Sequence, residues 1–548
     1  MTGIIIEIFV GMLILVWAMF AKDKPERKLV ISSKNYKLVM FALVCIFAFL
    51  LIYKSTEVPV AYNIDEAGMV YDAINIAEYH VDRYQIRFPV YFNNFGGGQS
   101  PFYLYLAASL IKIFGYSIFI VRLPAIFFSL ISAVIFVLTI RKEMGPDASV
   151  IAMFLFCILP FSIMHSRWGL DAYLFFPMLI ISCCVFNYAV QISNVKWFFI
   201  SGCFFGTTLY TYAISYAIIP LFLAATIIYL LIIGKCDIKR IFTFSVPLFL
   251  ISVPLLLMLA VNNDLLKEIH TRFFSITKLF DNRISEISFN NIIRNLKYGE
   301  YNLFYTLFVD DHLGLNVIPK FGTMYYVSLP VIIYGFVCCL RRSLKNIHKK
   351  TWSWNDQMLI LFFSAFIISI LICNQSVNKL CALYVPLIYF FVVGFTNFFK
   401  KSRLAGFLLV GILTVNSFLF IKYYFSDFQN DLNKNVLVGS INDLTEALNF
   451  ADSVNRNDET IYVLDPHQTH ILVALVKGID PVTFNQQKVL SGYDGYVKSI
   501  GKYRFQLDAV LPECIYIFRD IEKIPDDPKI YGFDVEQFGS YTVYYPSL

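Results

Sequence analysis

Charge is scarce in this sequence. Of its 548 residues only 15% are Asp, Glu, Lys or Arg, while 58% are hydrophobic and 17% aromatic. A soluble globular chain carries about 25% charged and about 45–50% apolar residues. This balance, with a mean hydropathy of +0.63, is not that of a soluble globular chain and implies a polytopic membrane protein. The formal net charge is +6. The basic residues flank apolar runs and form no stripe interleaved with stacking aromatics, so there is no case for a nucleic-acid partner. A cysteine framework is also lacking. Most of the 11 cysteines sit inside apolar stretches (Cys45, Cys157, Cys183, Cys184, Cys203, Cys338, Cys339, Cys373, Cys381), and Cys514 stands alone in the polar C-terminal part. That spacing suits neither disulfides nor a metal. The opening "MTGIIIEIFVGMLILVWAMFAKDK" lacks a basic leader, carries Glu7 and has no clear small-residue cleavage site, so it reads as a retained helix. Internal repeats and low-complexity linkers are absent.

What is present is a series of apolar runs. A membrane-spanning helix needs about 20 apolar residues, and about twelve runs qualify: 4–20, 38–53, 119–140, 148–164, 172–190, 196–214, 216–233, 241–261, 324–340, 357–373, 380–397 and 403–424. Lys and Arg gather in five connecting loops. These are 21–37 (Lys22, Lys24, Arg27, Lys28, Lys34, Lys37), 141–147 (Arg141, Lys142), 235–240 (Lys235, Lys239, Arg240), 341–356 (Arg341, Arg342, Lys345, Lys349, Lys350) and 398–403 (Lys400, Lys401, Arg403). All five fall on one side if the runs alternate, and positive loops stay in the cytoplasm. The apolar but short run 101–115 breaks this pattern if counted as a span, so it is expected to lie at the outer interface. The outer side then receives a first loop, 54–118, a large loop, 262–323, and everything after about 425. In that last part "INDLTEALNFADSV" has helical spacing with Asn442 or Asp443 as cap, "TIYVLD" and "CIYIF" read as strands, and "THILVALVKG" as a helix ending at Gly478. A small extracytoplasmic α/β domain is expected there. The chain thus divides into 1–37, an extra helix and basic loop; 38–424, the membrane part; and 425–548.

The chemistry collects at the outer face. "AYNIDEAGMVYDA", 61–73, sets Asp65 and Glu66 at the mouth of a membrane helix, with Tyr71 and Asp72 further along. Acids in a first helical turn also simply favour the helix dipole, and Asp72 reads as a polar-face residue. "HSRWGLD", 165–171, places Arg167 and Asp171 four apart beside His165. Ionisable groups near bilayer depth usually face a cavity or a partner. The pair is either structural or an anion site next to a carboxylate. "FGGGQSPFY" holds Gly96, Gly97 and Gly98 but lacks the Lys-Ser/Thr of a phosphate loop, so a flexible loop leading to a Pro101 helix start fits better. The large loop offers His270, Arg272, Asp310, Asp311, His312 and Lys320, and Lys379 sits at an outer helix mouth, where snorkelling is an equal explanation.

Together these elements resemble the GT-C glycosyltransferase superfamily. The resemblance rests on Asp65-Glu66 after a helix, the "PFYLYL" juxtamembrane segment, the "FGYSIFIVRLPAIFFSLISAVIFVLTIRKEMG" run and a span closing on "SRWGLD". It covers roughly 38–420, is densest over 60–175, and is nearest to protein O-mannosyltransferases and lipid A aminoarabinose transferase. It implies transfer of a sugar from a polyprenyl phosphate, outside the cytoplasmic membrane, with inversion. It also implies Asp65 as base toward the acceptor hydroxyl, Glu66 as its support, Asp171 as second acid and Arg167 as phosphate ligand. Aminoarabinose transferases carry Glu-Lys before the juxtamembrane proline, whereas Gln99 and Ser100 precede Pro101 here. Phosphate binding must then come from Arg167, Arg272 or Lys379, with Tyr71, His165, His270 and Lys320 as other candidates in the substrate site. No metal is expected at that site. A divalent cation is compatible with the chemistry, but nothing indicates one and no other cofactor is called for. The partners implied are a polyprenyl-phosphate-linked sugar, membrane lipid, and an acceptor that is a cell-envelope glycan, a lipid or a protein. A lipid phosphate is already a good leaving group, so a carboxylate within reach of the acceptor hydroxyl suffices. The competing classes are a transporter or flippase of lipid-linked sugars and a structural scaffold. A transporter would place charge at midplane and show inverted repeats.

Overall fold

Lipid offers backbone groups no hydrogen-bond partner, so apolar runs that cross it must close their bonds internally as helices. The computed structural model describes residues 2–20, 33–94, 97–280, 287–297, 302–435, 437–455, 459–465, 469–490, 497–507, 509–519 and 532–547. Lys22, Lys24, Arg27, Lys28 and Gly96, and the side chain of Lys34, lie outside the described residues.

Among the described residues nine helices are long and apolar enough to span: Asn35–Ile52, Ile118–Met144, Ala172–Ile192, Ser215–Ile232, Ile238–Asn262, Tyr326–Lys349, Trp354–Leu371, Val377–Lys401 and Arg403–Tyr424. The chain is an integral, multi-pass membrane protein. The other three expected spans form shorter apolar helices, Gly3–Met19, Pro146–Ile158 and Val195–Leu209. The 148–164 run is cut because Leu159, preceding Pro160, is extended (φ −69°, ψ 130°), and a short helix resumes at Pro160–His165. The 196–214 run ends early because 210–214 turns before the next helix begins at Ser215. The 101–115 run forms the helix Pro101–Phe114, with proline in its first turn. At 1.5 Å per residue it is about 21 Å long, short of a hydrocarbon core of about 30 Å.

The chain forms two compact units. One comprises Met1–Tyr53, Pro124–Val253 and Ile284–Tyr423. It is a helical bundle in which Val377–Lys401 packs against Leu329–Lys349, Trp354–Leu371, Ala172–Ile192 and Pro146–Ile158. Two glycines bring Leu329–Lys349 and Val377–Lys401 close together. A Cβ on Gly335 would sit 1.7 Å from the Phe390 carbonyl oxygen, and one on Gly394 2.2 Å from that of Val331. Small residues let membrane helices meet backbone to backbone, where dispersion replaces the missing hydrophobic drive.

The second unit comprises Lys54–Leu123, Pro254–Arg283 and Tyr424–Leu548. Its core is a seven-stranded sheet in the order Phe533–Phe538, Tyr541–Pro546, Ile515–Arg519, Ile461–Leu464, Tyr503–Arg504, Val497–Ile500, Lys488–Leu490. Ile461–Leu464 runs parallel to both neighbours and the remaining pairs are antiparallel. Tyr462, Leu464, Tyr516, Phe518, Phe533 and Tyr544 form an apolar cluster on the sheet. The helix Ile441–Val454 is capped by Ser440, whose Oγ accepts from the Asp443 N–H at 3.3 Å, and not by Asn442 or Asp443 as the spacing suggests. The helix His470–Val476 ends before Gly478, which takes φ +60°. Tyr62–Asn63 pairs antiparallel with Val438–Gly439, so the stretch leading into the Asp65 helix is stitched to the C-terminal part.

Candidate active site

The helix Ile64–Tyr79 carries Asp65, Glu66, Tyr71 and Asp72. Asn63 starts it, its Oδ1 accepting from the Asp65 N–H at 2.8 Å. Most of the helix from Glu66 to Ala77 is buried, so the polar face expected for Asp72 does not exist. Each acid meets a different environment.

Glu66 is fully buried. Arg122 donates to both its oxygens, Nε to Oε1 at 3.0 Å and Nη2 to Oε2 at 3.2 Å. The same guanidinium donates to the carbonyls of Ser55, Pro59 and Ala61 at 2.9, 3.1 and 3.2 Å. One cation therefore fastens the 55–61 stretch to the helix start. Asp72 is also buried, and Arg83 reaches it with Nε at 3.0 Å to each oxygen, Nη2 at 2.7 Å and its backbone N–H at 2.9 Å. Arg83 Nη2 also donates to the Gly68 carbonyl at 2.6 Å.

Asp65, in contrast, is exposed. It lies under a hairpin of Phe92–Asn94 and Gly97–Gln99. Asn94 Nδ2 donates to Asp65 Oδ1 at 3.3 Å, and Gln99 Nε2 to the Asp65 carbonyl at 3.3 Å. Gln99 is thus an amide bracing the helix start. The glycine run has a packing reason, since a Cβ on Gly98 would fall 2.0 Å from the Tyr91 ring. Tyr71 donates its hydroxyl to the Ile479 carbonyl at 2.6 Å.

A further acid lies beside the Asp72–Arg83 pair. Asp82 is 1% exposed, and its Oδ1 accepts from the Tyr84 and Ile86 N–H groups at 2.9 and 2.8 Å. Burial, with the charge of Asp72 adding to it, pushes its carboxyl up from the ordinary 3.8 to about 7. Between those values the folded chain holds a proton that the unfolded chain has released. Stability therefore falls as pH rises through that window and is level above it. Thermal unfolding of detergent-solubilised protein should show Asp82→Asn melting above the parent at about pH 8 and converging with it near pH 4. Parallel profiles would rule this out.

In the helical unit, Arg167 is buried and its guanidinium serves the end of the helix Ser33–Ile52. Nη1 donates to the Leu50 and Leu51 carbonyls at 2.5 and 3.0 Å, and Nη2 to that of Tyr53 at 2.8 Å. A cation at a helix C-terminus satisfies orphan carbonyls and the dipole together. Asp171 caps Ala172–Ile192, its Oδ1 accepting from the Ala172 N–H at 2.8 Å. His165 is buried among Phe161, Tyr173 and Phe176. Tyr173 donates to Asn316 at 2.8 Å and Asn316 to Asn378 at 3.1 Å, while Asp311 accepts from the Val377 N–H at 3.2 Å. These bonds tie the Asp171 segment to the first turn of Val377–Lys401, where Lys379 is half-buried. Lys320 is exposed, its Nζ 5.5 Å from the Phe321 ring centre and 5.7 Å from that of Tyr423. Arg272 and His270 are exposed in the hairpin Ile269–His270/Ser275–Ile276 of the other unit, with His270 3.5 Å from Glu268. Among the described residues no three His, Cys, Asp or Glu side chains are grouped to hold a metal ion.

The residues that sequence reasoning misses are Arg122, Arg83, Asp82 and Asn94. Only Arg122 carries a signal. It is a lone charge in the apolar run 118–140, and such a charge needs a buried partner.

Residues 98–261 match the family model of dolichyl-phosphate-mannose-protein mannosyltransferases. ArnT from Cupriavidus metallidurans, solved bound to undecaprenyl phosphate, superposes with a TM-score of 0.55 at 11% identity, covering 94% of this chain and 98% of that one. Its apo state gives 0.53 at 12%, covering 93% and 98%. No curated protein sequence matches the chain. The fold is that of a GT-C glycosyltransferase. Within that class the chain is similar to the mannosyltransferase family over 98–261, and to ArnT in fold over nearly its whole length.

Proposed function

We propose that the protein transfers a sugar from a polyprenyl phosphate to an acceptor hydroxyl on the extracytoplasmic side of the cytoplasmic membrane, with inversion, and that Asp65 is the base. The carrying observation is the sorting of three acids on one helix: Glu66 and Asp72 are buried in arginine pairs, and Asp65 is exposed at the helix mouth. A base must reach the proton it removes. Glu66 supports Asp65 through Arg122 in the same unit, and Asp171 is the second acid proposed, on the helical unit. The cations proposed for the donor phosphate are Lys379 and Lys320 on the helical unit and Arg272 on the other. Arg167, expected as a phosphate ligand, is instead buried with its guanidinium on the Leu50, Leu51 and Tyr53 carbonyls, so it is proposed to hold that helix end and not the phosphate.

A lipid donor also needs somewhere for its tail. The helical unit carries an apolar groove of about 470 Å³, lined by Ile4, Leu303, Phe304, Leu307 and Phe336 among others. Its chemistry suits a prenyl chain, and ArnT has been solved with undecaprenyl phosphate bound. The five basic loops support a cytoplasmic placement of their side and an outer placement of Asp65. The acceptor is a cell-envelope glycan, a lipid or a protein, and 425–548 is the part available to receive it.

A transfer assay tests this. Purified protein is given a panel of radiolabelled polyprenyl-phosphate sugars and a crude envelope acceptor. Label entering the acceptor fraction with the parent protein but not with Asp65→Asn is the expected result, and it names the sugar. Label unaffected by Asp65→Asn overturns the base assignment. Donor moving across liposome bilayers with no label transferred overturns the enzyme.

A further inference from the structure

The hairpin over the start of the Ile64–Tyr79 helix meets the Asp65 backbone carbonyl through Gln99 and its carboxylate through Asn94. Asn94 is 4% exposed, and its Nδ2 donates to Asp65 Oδ1. Its other end turns toward Gly68. A Cβ placed on Gly68 would lie 2.4 Å from Asn94 Oδ1 and 3.0 Å from Arg83 Nη2. The amide oxygen and the guanidinium therefore border the same point, and only a residue without a side chain leaves room for both. Arg83 is itself immobilised, being 1% exposed and held by both Asp72 oxygens and the Gly68 carbonyl.

We propose that Asn94 is a positioning residue for Asp65, keyed by the buried Arg83–Asp72 pair across Gly68. The inference rests on Asp65 being the base. Its logic is the orientation of one amide. Asn94 Oδ1 is buried and accepts no hydrogen bond among the described residues, so what it meets across Gly68 is the positive field of the guanidinium, while the N–H end meets the carboxylate. The flipped amide would set its oxygen against Asp65 and its N–H groups against Arg83, and both contacts would be repulsive. The Arg83–Asp72 pair thus selects the amide orientation that donates to Asp65. A carboxylate held by an N–H donor keeps one rotamer and stays ionised to lower pH than it would without the donor. The chain's departure from an acidic residue before Pro101 agrees with this, because Gln99 donates to the Asp65 backbone carbonyl and adds no like charge beside the carboxylate that Asn94 holds.

The test is the pH–rate profile of sugar transfer in the full-length protein. Asn94→Ala should lower turnover about 10- to 100-fold, the size of one hydrogen bond to a charged group. It should also move the acid limb of the profile up by about one pH unit. Asn94→Asp should move that limb further, because it sets a second carboxylate beside the first. Gly68→Ala leaves Asp65 chemically untouched but forces Asn94 aside, and should move the limb in the same direction. The Gly68→Ala/Asn94→Ala double variant should then be no worse than Asn94→Ala alone, since both remove one contact. A limb that stays in place in Asn94→Ala and Asn94→Asp, or additive losses in the double variant, overturns the proposal. The Asp65→Asn control separates the two levels. If that variant is inactive while the limb is unmoved, only the role of Asn94 falls. If it retains transfer, the base assignment and the role of Asn94 fall together.

Discussion

Asp65→Asn should lower sugar transfer by about 10²- to 10⁴-fold, the usual contribution of a positioned general base, while the protein stays folded. The two halves of that expectation have separate reasons. The amide is nearly isosteric with the carboxylate, and its oxygen can still accept from Asn94 Nδ2. The carboxylate is exposed, so neutralising it leaves no buried charge stranded. What folding loses is the interaction of one negative charge with a helix N-terminus, about 0.3–1 kcal/mol. Transfer, on the proposed assignment, loses the carboxylate that takes the proton of the incoming hydroxyl. Label incorporation, measured beside size-exclusion behaviour and thermal unfolding in detergent, checks both. An unfolded variant, or a folded one with turnover within a few-fold of the parent, would contradict the assignment.

Arg122→Ala should have the opposite signature. Removing one partner of a buried ion pair costs about 3–5 kcal/mol, because the other charge is left in a low-dielectric interior. Here the loss reaches further than Glu66. The Ser55, Pro59 and Ala61 carbonyls lose their donor in the same step. Total stability of a domain is about 5–15 kcal/mol, so a large fall in the yield of monodisperse protein is expected. Glu66→Gln should be milder, because an amide oxygen can still accept from Arg122. It should lower the unfolding midpoint without changing turnover per folded molecule by more than a few-fold. A well-folded Arg122→Ala protein would show that the pair does not hold the helix mouth together.

Much of the architecture is legible before any coordinates. Hydropathy summed over about 20 residues is a one-dimensional quantity, and nine of the expected runs appear as spanning helices. The strands at Ile461–Leu464 and Ile515–Arg519 follow from short β-branched and aromatic runs, and the helix ending before Gly478 follows from its glycine. What cannot be read this way is where a run breaks internally. The extended Leu159 ahead of Pro160 shortens one expected span although the residues around it stay apolar.

The acids divide along the same line. By itself the sequence determined that Asp65, Glu66, Arg167 and Asp171 stand at the ends of apolar runs, where charge usually faces a cavity or a partner, and it left Asp72 on a polar face. Which carboxylate is exposed and which is bound was decided only by tertiary structure. Arg122 meets Glu66 across 56 residues, and Arg167 meets the Leu50 carbonyl across 117. Such partners are chosen by how helices pack, and a charge buried by packing binds whichever opposite charge or carbonyl the fold brings within about 3 Å. A local pattern shows that a buried charge needs a partner, and the fold of the whole unit supplies it.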